Sequence, residues 1–174
     1  MRQSNFRETR QDLASRLSDI QTHRHPIALL LDQVQDERNV AAMLRLADAA
    51  RLEKVFLYQQ AAHQWKGKKL ERIARSTQKY VSFEQIDTIE SLVADYHFLA
   101  VEITDQSVAY HQYQPPNKKL LLILGNEKYG VSKKLLELSQ VAVHIPMYGI
   151  NTSMNVAMSA AIVSYHLVHA LGRE

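Results

Sequence analysis

Two runs of five consecutive apolar residues constrain the fold of this chain more than any other feature. They read Ile-Ala-Leu-Leu-Leu at 27–31 and Leu-Leu-Leu-Ile-Leu at 120–124. Neither run alternates between apolar and polar residues, as a half-buried strand would. Both are far shorter than the roughly 20 apolar residues that a membrane-spanning helix needs. Continuous apolar strands are typical of a parallel sheet that is covered on both faces.

The segments around these runs alternate between strand-like and helix-like patterns. Further strands are predicted at 54–58, 97–103 and 141–145, and helices at 88–96 and 133–139. One more helix is expected to start at an Asn39 cap, with Val40, Met43, Leu44 and Ala47 on one face, and the last helix near Asn155. The pattern predicts an α/β fold with a mostly parallel sheet flanked by helices. Residues 1–25 are expected to form an N-terminal helical extension, with an amphipathic helix at about 6–20, and residues 26–174 a single domain.

Composition excludes several classes of function. The chain has no cysteine, which rules out disulfides, thiol nucleophiles and cysteine-based zinc sites. Its eight histidines are spaced too loosely to indicate a metal site, so no metal is expected. The first residues lack the apolar core of a secretory signal, and a soluble cytoplasmic protein without membrane contact is expected. The net charge of +3 permits an anionic partner but does not specify one.

Three polar segments follow predicted strands, and ligands of parallel α/β sheets bind at that edge. The first, 32–45, contains Asn39 and, six residues later, Arg45. The second, 124–132, places two glycines around a polar turn, and the third, 145–155, is long for a strand-to-helix connection. Each segment has a simpler interpretation when it is taken alone: a helix cap with a surface arginine, a plain turn, and a second helix cap.

Taken together, the three segments resemble the motifs of the TrmH-like ribose 2′-O-methyltransferases of the SPOUT superfamily. The resemblance extends over about residues 27–171 and lies in Asn39 with Arg45, then Gly125, Asn126, Glu127 and Gly130, then Ile145, Pro146, Met147, Ser153 and Asn155. Two positions depart from the family pattern: Ala41 stands where a glycine is common, and Met154 where a leucine is common.

The resemblance implies a SPOUT fold with a C-terminal trefoil knot, a homodimer, and transfer of a methyl group from S-adenosylmethionine to a ribose 2′-hydroxyl of RNA. It implies catalytic roles for Arg45, Asn39, Glu127, Ser153 and Asn155. It implies a cofactor site formed by Glu102, Leu124, Gly125, Gly130, Ile145, Met147, Ser153 and Met154. The dimer is expected to form on the last helix, through an apolar stripe of Val156, Ala160, Val163 and Leu167.

A basic stretch near the middle of the chain is the candidate RNA-binding surface. It contains Lys66, Lys68, Lys69, Arg72 and Arg75, with Trp65 at its edge. A solvated helix face would have the same composition. We expect no additional N-terminal RNA-binding domain of the kind that many relatives acting on ribosomal RNA carry, and transfer RNA is therefore the expected substrate.

Several other functions are compatible with parts of this pattern. The enzyme could modify ribosomal RNA, or the chain could be a non-catalytic RNA-binding protein on the same fold. Methylation of a base nitrogen is a further possibility, against which the Asn39 and Arg45 pair counts, since the family places it in ribose-methylating members. A dinucleotide-binding oxidoreductase is disfavoured because no G-x-G-x-x-G follows the first strand.

Overall fold

The computed structural model describes residues 23–58 and 80–172. In chain order, these residues form β1 (His25–Asp32), α1 (Glu37–Ala49), β2 (Leu52–Tyr58), β3 (Ser82–Ile86), α2 (Glu90–Val93), β4 (His97–Val101), β5 (Val108–Ala109), a short 3-10 helix (Tyr110–Gln112), β6 (Leu120–Leu124), α3 (Lys133–Leu138), β7 (Val141–His144) and α4 (Val156–Ala170).

The strands form one sheet in the order β3-β2-β1-β6-β4-β7-β5, and every neighbouring pair is parallel. The two apolar runs, β1 and β6, lie side by side within it, in register from Ile27 opposite Leu120 to Leu31 opposite Leu124. Helices cover both faces, so the predicted α/β class and mostly parallel sheet are confirmed. The trefoil knot implied by the resemblance stays a prediction.

Burial on both faces explains why the runs at 27–31 in β1 and 120–124 in β6 contain no polar residues. Leu29 and Leu122 belong to a core cluster that includes residues of α1 and α4. Leu30 and Leu121, one position along, belong to a second cluster that includes residues of α2 and α3. Successive side chains of a strand point to opposite faces, so each strand contributes to both clusters.

Helix α1 begins earlier than the sequence suggested. The Asp36 carboxylate caps it by accepting from the Arg38 amide at 2.8 Å, so the expectation that Asn39 is the cap was wrong. Asn39 lies inside the first turn and is 8% exposed. The last helix begins near Asn155, as expected, and of the two candidate caps, Ser153 and Asn155, it is Asn155 whose side chain accepts from the backbone N–H groups of Ala157 and Met158.

Two other points differ from the prediction. The helix expected at 88–96 is the single turn α2, and strands β3 and β5 were not predicted, because β3 is mostly exposed and polar and β5 has two residues. The helix expected at 6–20 lies outside the described residues.

The apolar stripe of α4 packs inside the chain rather than against a partner. Ala160, Val163 and Leu167 are at most 1% exposed and belong to the same core cluster as α1, so they are not available as a dimer interface. The other side of the helix exposes Met158 by 61% and Tyr165 by 52%. Among the described residues, no helix is long and apolar enough to cross a membrane.

Candidate active site

A cavity of about 530 Å³ lies at the C-terminal ends of β4, β6 and β7. Its walls come from the segments that follow these three strands and from the segment that leads into α4. The volume falls within the range of roughly 300–1,000 Å³ that small-molecule sites occupy. The eight residues predicted to bind a cofactor all line it: Glu102, Leu124, Gly125, Gly130, Ile145, Met147, Ser153 and Met154.

The loop after β6 is a tight turn that requires both of its glycines. Asn126 and Gly130 exchange two backbone hydrogen bonds of 2.9 Å. Gly130 has a φ of 70°, in the left-handed region that glycine adopts without strain. A Cβ at Gly125 would overlap the backbone of Gly130, and one at Gly130 would overlap the Glu102 carboxylate. At both positions the loop backbone therefore lies closer to its neighbours than a residue with a Cβ atom would allow.

Glu102 ties this loop to the end of β4. Its carboxylate accepts a hydrogen bond of 2.9 Å from the Val131 amide and one of 3.0 Å from the Ile103 amide. Both carboxylate oxygens thus already hold backbone N–H groups, and Glu102 positions the wall of the cavity.

A chain of side-chain hydrogen bonds joins the three motif segments. The Asn39 Nδ2 donates to Glu127 Oε1 at 2.9 Å, and the Asn155 Nδ2 donates to Asn39 Oδ1 at 3.0 Å. Asn155 also caps α4, and Glu127 accepts from the amides of Gln35 and Asp36 at 3.0 Å each. Three of the residues predicted to be catalytic are therefore brought together as a single network.

The charge of Glu127 is stabilised by this arrangement. Desolvation is the largest single influence and raises its pKa, but hydrogen bonds from Gln35, Asn39 and Asp36 together outweigh it. The net result is a pKa below the ordinary value, so the side chain is a carboxylate at neutral pH and acts only as an acceptor.

Residues 26–165 match the model of the SpoU rRNA Methylase family, and this range contains the cavity, the glycine turn and the whole hydrogen-bonded network. The chain belongs to that family. The predicted TrmH-like family is thereby confirmed.

Similar proteins include enzymes that modify ribosomal and transfer RNA. The Bacillus subtilis 23S rRNA (guanosine(2553)-2′-O)-methyltransferase RlmP is 37% identical over 142 residues, which are 80% of this chain and 56% of that enzyme. The chain thus spans little more than half of this relative. The crystal structure of the Aquifex aeolicus TrmH/SpoU tRNA modifying enzyme aligns with a TM-score of 0.77 at 26% identity, covering 92% of this chain and 85% of that one. An AdoMet-bound rRNA methyltransferase from Sinorhizobium meliloti shares the fold, with a TM-score of 0.74 at 22% identity, over 89% of this chain and 60% of that one.

Two of the predicted catalytic residues of this SpoU-family chain stand apart from the network. Ser153 lines the cavity and is exposed. Arg45 is exposed on α1 and does not line the cavity. Six residues along a helix rotate a side chain by about 600°, so Arg45 and Asn39 lie roughly 120° apart around the helix axis.

Sequence reasoning missed three polar residues that build the site. Asp32, which is 1% exposed, accepts from the Ser132 amide at 2.6 Å and so joins β1 to the start of α3. Its position at the end of β1, directly after the apolar run 27–31, is the pattern that would have identified it. His144 lines the cavity, and its Nδ1 lies 3.0 Å from the Ser107 hydroxyl.

The Ser107 hydroxyl lies in the turn of residues 104–107. It accepts from the Thr104 amide at 3.0 Å, and its oxygen lies 2.9 Å from the Thr104 carbonyl. Its contact with His144 joins this turn to the end of β7. No residue pattern in the sequence indicates this contact, because it depends on the pairing of β5 with β7.

The predicted RNA-binding residues Lys66, Lys68, Lys69, Arg72 and Arg75 lie outside the described residues.

Proposed function

We propose that this chain transfers the methyl group of S-adenosylmethionine to a ribose 2′-hydroxyl of RNA. The observation that carries the proposal is the Glu127–Asn39–Asn155 network at the edge of the cavity, within a chain of the SpoU family. The names of the similar proteins support the same chemistry, since they include a 2′-O-methyltransferase of rRNA and a tRNA modifying enzyme.

The cavity suits S-adenosylmethionine in size and in the character of its walls. The glycine turn of residues 125–130 brings backbone close to the ligand volume, and Ile145, Met147 and Met154 supply apolar surface. When bound, S-adenosylmethionine supplies an electrophilic methyl group on a sulfonium. The AdoMet-bound relative from Sinorhizobium meliloti agrees with this assignment. Independence of a metal stays a prediction.

Arg45 is the proposed residue for the ribose and its phosphate. In the proposed reaction the 2′-hydroxyl releases its proton to solvent water, and its oxygen forms a bond to the methyl carbon as the carbon–sulfur bond breaks. The sulfonium becomes a neutral thioether. An arginine is a poor base because its pKa lies above about 12. Its planar guanidinium is instead suited to hold a phosphate and to stabilise the developing negative charge on the oxygen.

A homodimer is part of the proposal, because Arg45 does not line the cavity of its own chain. The exposed side of α4, with Met158 and Tyr165, is the proposed interface in place of the buried stripe. A second copy seated there would bring further residues to the cavity. Large apolar side chains exposed along one helix are typical of protein interfaces.

The test of the proposed function is methyl transfer to unmodified transcripts of tRNA and of 23S rRNA. We expect the modified nucleotide to resist alkaline cleavage, and a 2′-deoxy substitution at that nucleotide to abolish transfer. Continued methylation of the deoxy substrate would indicate a base-methylating enzyme. Comparison of the two transcripts decides between transfer RNA, the proposed substrate, and ribosomal RNA, which the similarity to RlmP favours.

The role of Arg45 is tested by single-turnover transfer with saturating RNA. Arg45→Ala is expected to lower the rate by about 10²-fold or more, the scale for loss of one oxyanion donor, while cofactor binding stays intact. Arg45→Lys is expected to rescue little, since a point charge does not replace a planar fork. Lys118→Ala, before β6 at the opposite edge of the sheet, is the control. A full rate for Arg45→Ala would contradict the proposed role.

A further inference from the structure

The turn after β6 carries an aromatic side chain into solvent at the edge of the cavity. Tyr129 lines the cavity and is nevertheless 76% exposed. The Nζ of Lys128 lies 5.0 Å from the centroid of its ring. One face of the ring thus has a cation beside it, and most of the remaining surface is open to solvent.

The backbone that presents these two side chains is held from several directions. The Asn126 Oδ1 accepts from the amides of Lys128 and Tyr129, at 2.9 and 3.1 Å. The Asn126 Nδ2 donates to the Gln33 carbonyl at 2.7 Å, and the two backbone bonds between Asn126 and Gly130 close the turn. A ligand that contacts Tyr129 would therefore meet a backbone that is already ordered, which lowers the entropic cost of binding.

We propose that Tyr129 stacks on a base of the RNA substrate beside the nucleotide to be methylated, with Lys128 contacting the adjacent phosphate. This inference rests on the proposed function for the identity of the ligand. An exposed aromatic ring with a cation at its side matches the chemistry of single-stranded RNA, in which an unstacked base alternates with a phosphate. Stacking at the cavity edge would hold the neighbouring ribose at the place where the methyl group is delivered.

The experiment measures the binding of two fluorescein-labelled probes, an unmodified tRNA transcript and an unmodified 23S rRNA domain transcript. Tyr129→Leu keeps an apolar side chain but removes the ring, and it is expected to weaken binding of the preferred probe by roughly tenfold, within the range for loss of one base stack. Tyr129→Phe keeps the ring and is expected to bind within about twofold of the native chain, because stacking needs no hydroxyl.

Lys128→Gln is expected to make the fall of log binding constant with log salt concentration less steep by about one unit of slope, because one phosphate contact is lost. Lys118→Gln is the matched control, because Lys118 is an exposed lysine just before β6, whereas Lys128 lies just after it. Its salt slope is expected to equal that of the native chain.

Three results would overturn the inference. Native affinity in Tyr129→Leu would show that no base stacks on the ring. An equal loss of S-adenosylmethionine affinity in Tyr129→Leu, measured by calorimetry without RNA, would make Tyr129 a cover for the cofactor instead. Failure of the native chain to bind either probe would show that RNA of these two kinds is not the ligand of Tyr129. Failure of the proposed function is a separate result: a native chain that binds a probe through Tyr129 but transfers no methyl group would leave the stacking contact standing.

Discussion

Replacing Asn39 by aspartate is the sharpest test of the network, because it changes one nitrogen into an oxygen without changing the shape of the side chain. The Asn39 Nδ2 donates to Glu127 Oε1 at 2.9 Å, whereas its Oδ1 accepts from Asn155 Nδ2. In Asn39→Asp the hydrogen bond from Asn155 is kept. The hydrogen bond to Glu127 is lost, and two carboxylate oxygens face each other at hydrogen-bond distance instead.

The expected cost follows from the proton that such a pair must bind. Two carboxylates this close share one proton, and the resulting O–H donates across the pair and restores the bond. Keeping an ordinary aspartate protonated at pH 7 costs about 4 kcal/mol, since its unperturbed pKa is about 3.9 and each unit is worth 1.36 kcal/mol. The same cost at pH 5 is only about 1.5 kcal/mol. Glu127 is exposed and water screens the pair, so about 4 kcal/mol is an upper limit, and we expect the free energy of unfolding to fall by roughly 2–4 kcal/mol at pH 7.

The assay is thermal unfolding of the native chain and of Asn39→Asp at pH 5 and pH 7. A chain of this size loses roughly 2–4 °C per kcal/mol, so we expect Asn39→Asp to unfold about 5–15 °C lower at pH 7 and to recover much of the difference at pH 5. Asn39→Ala is the matched control, because it removes both hydrogen bonds without adding a charge. The unfolding temperature of Asn39→Ala is expected to lie below that of the native chain by the same amount at the two pH values.

A second substitution separates the pair of charges from other effects. Adding Glu127→Gln to Asn39→Asp removes one of the two facing carboxylates. It also turns an amide NH2 toward the backbone N–H of Gln35 or Asp36, which donate to different oxygens of Glu127, so full recovery of stability is not expected. The double variant is instead expected to differ from the native chain by nearly the same amount at pH 5 and pH 7, because no pair of carboxylates remains to share a proton. A loss of stability for Asn39→Asp that is independent of pH, or a double variant whose loss still shrinks from pH 7 to pH 5, would refute the view that the pair of charges is what destabilises the chain.

Three further outcomes follow from the described contacts. Gly130→Ala adds a Cβ at positive φ against the Glu102 carboxylate, so we expect a loss of about 1–3 kcal/mol in urea unfolding together with weaker S-adenosylmethionine binding. The pKa of Glu127 is lowered in the folded chain, so the unfolded chain binds more protons at this residue as the pH falls. Its contribution to stability is therefore present above the ordinary pKa of 4.5 and is lost as the pH falls through the folded pKa. Unfolding temperatures measured across an acid titration are expected to show this loss. Met158→Arg on the exposed side of α4 is expected to turn a dimer into a monomer in light scattering, while an unchanged mass would place the interface elsewhere.

The sheet was predictable from the sequence because its central strands carry an unmistakable composition. An apolar run without alternation has few structural solutions in a chain of this length, and β1 and β6 follow the expected one. The edge strand β3 reads Ser-Phe-Glu-Gln-Ile and has the composition of a loop, so only its pairing with β2 makes it a strand. The location of the chain in the cytoplasm and the threading of the knot stay predictions.

The site was predictable as a set of residues but not as a set of contacts. The resemblance to the family's motifs singled out Asn39, Glu127 and Asn155, whereas the local pattern predicted Asn39 as a helix cap because an asparagine before an apolar stripe commonly has that role. The cap is Asp36, three residues earlier, and Asn39 is thereby turned toward Glu127. Partners separated by 88 and 116 residues along the chain leave no local pattern that a sequence argument can use.

The contacts of the motif residues also suggest how one site can serve different RNAs. Asn126, Glu127 and Glu102 hold backbone N–H groups, and Asn39 joins Glu127 to Asn155. These side chains are engaged with the protein itself, and what they fix is the shape of the loops. Their hydrogen bonds to the protein leave fewer groups free to contact RNA. Under the proposed function, we therefore expect selectivity for one RNA to come from exposed positions such as Tyr129.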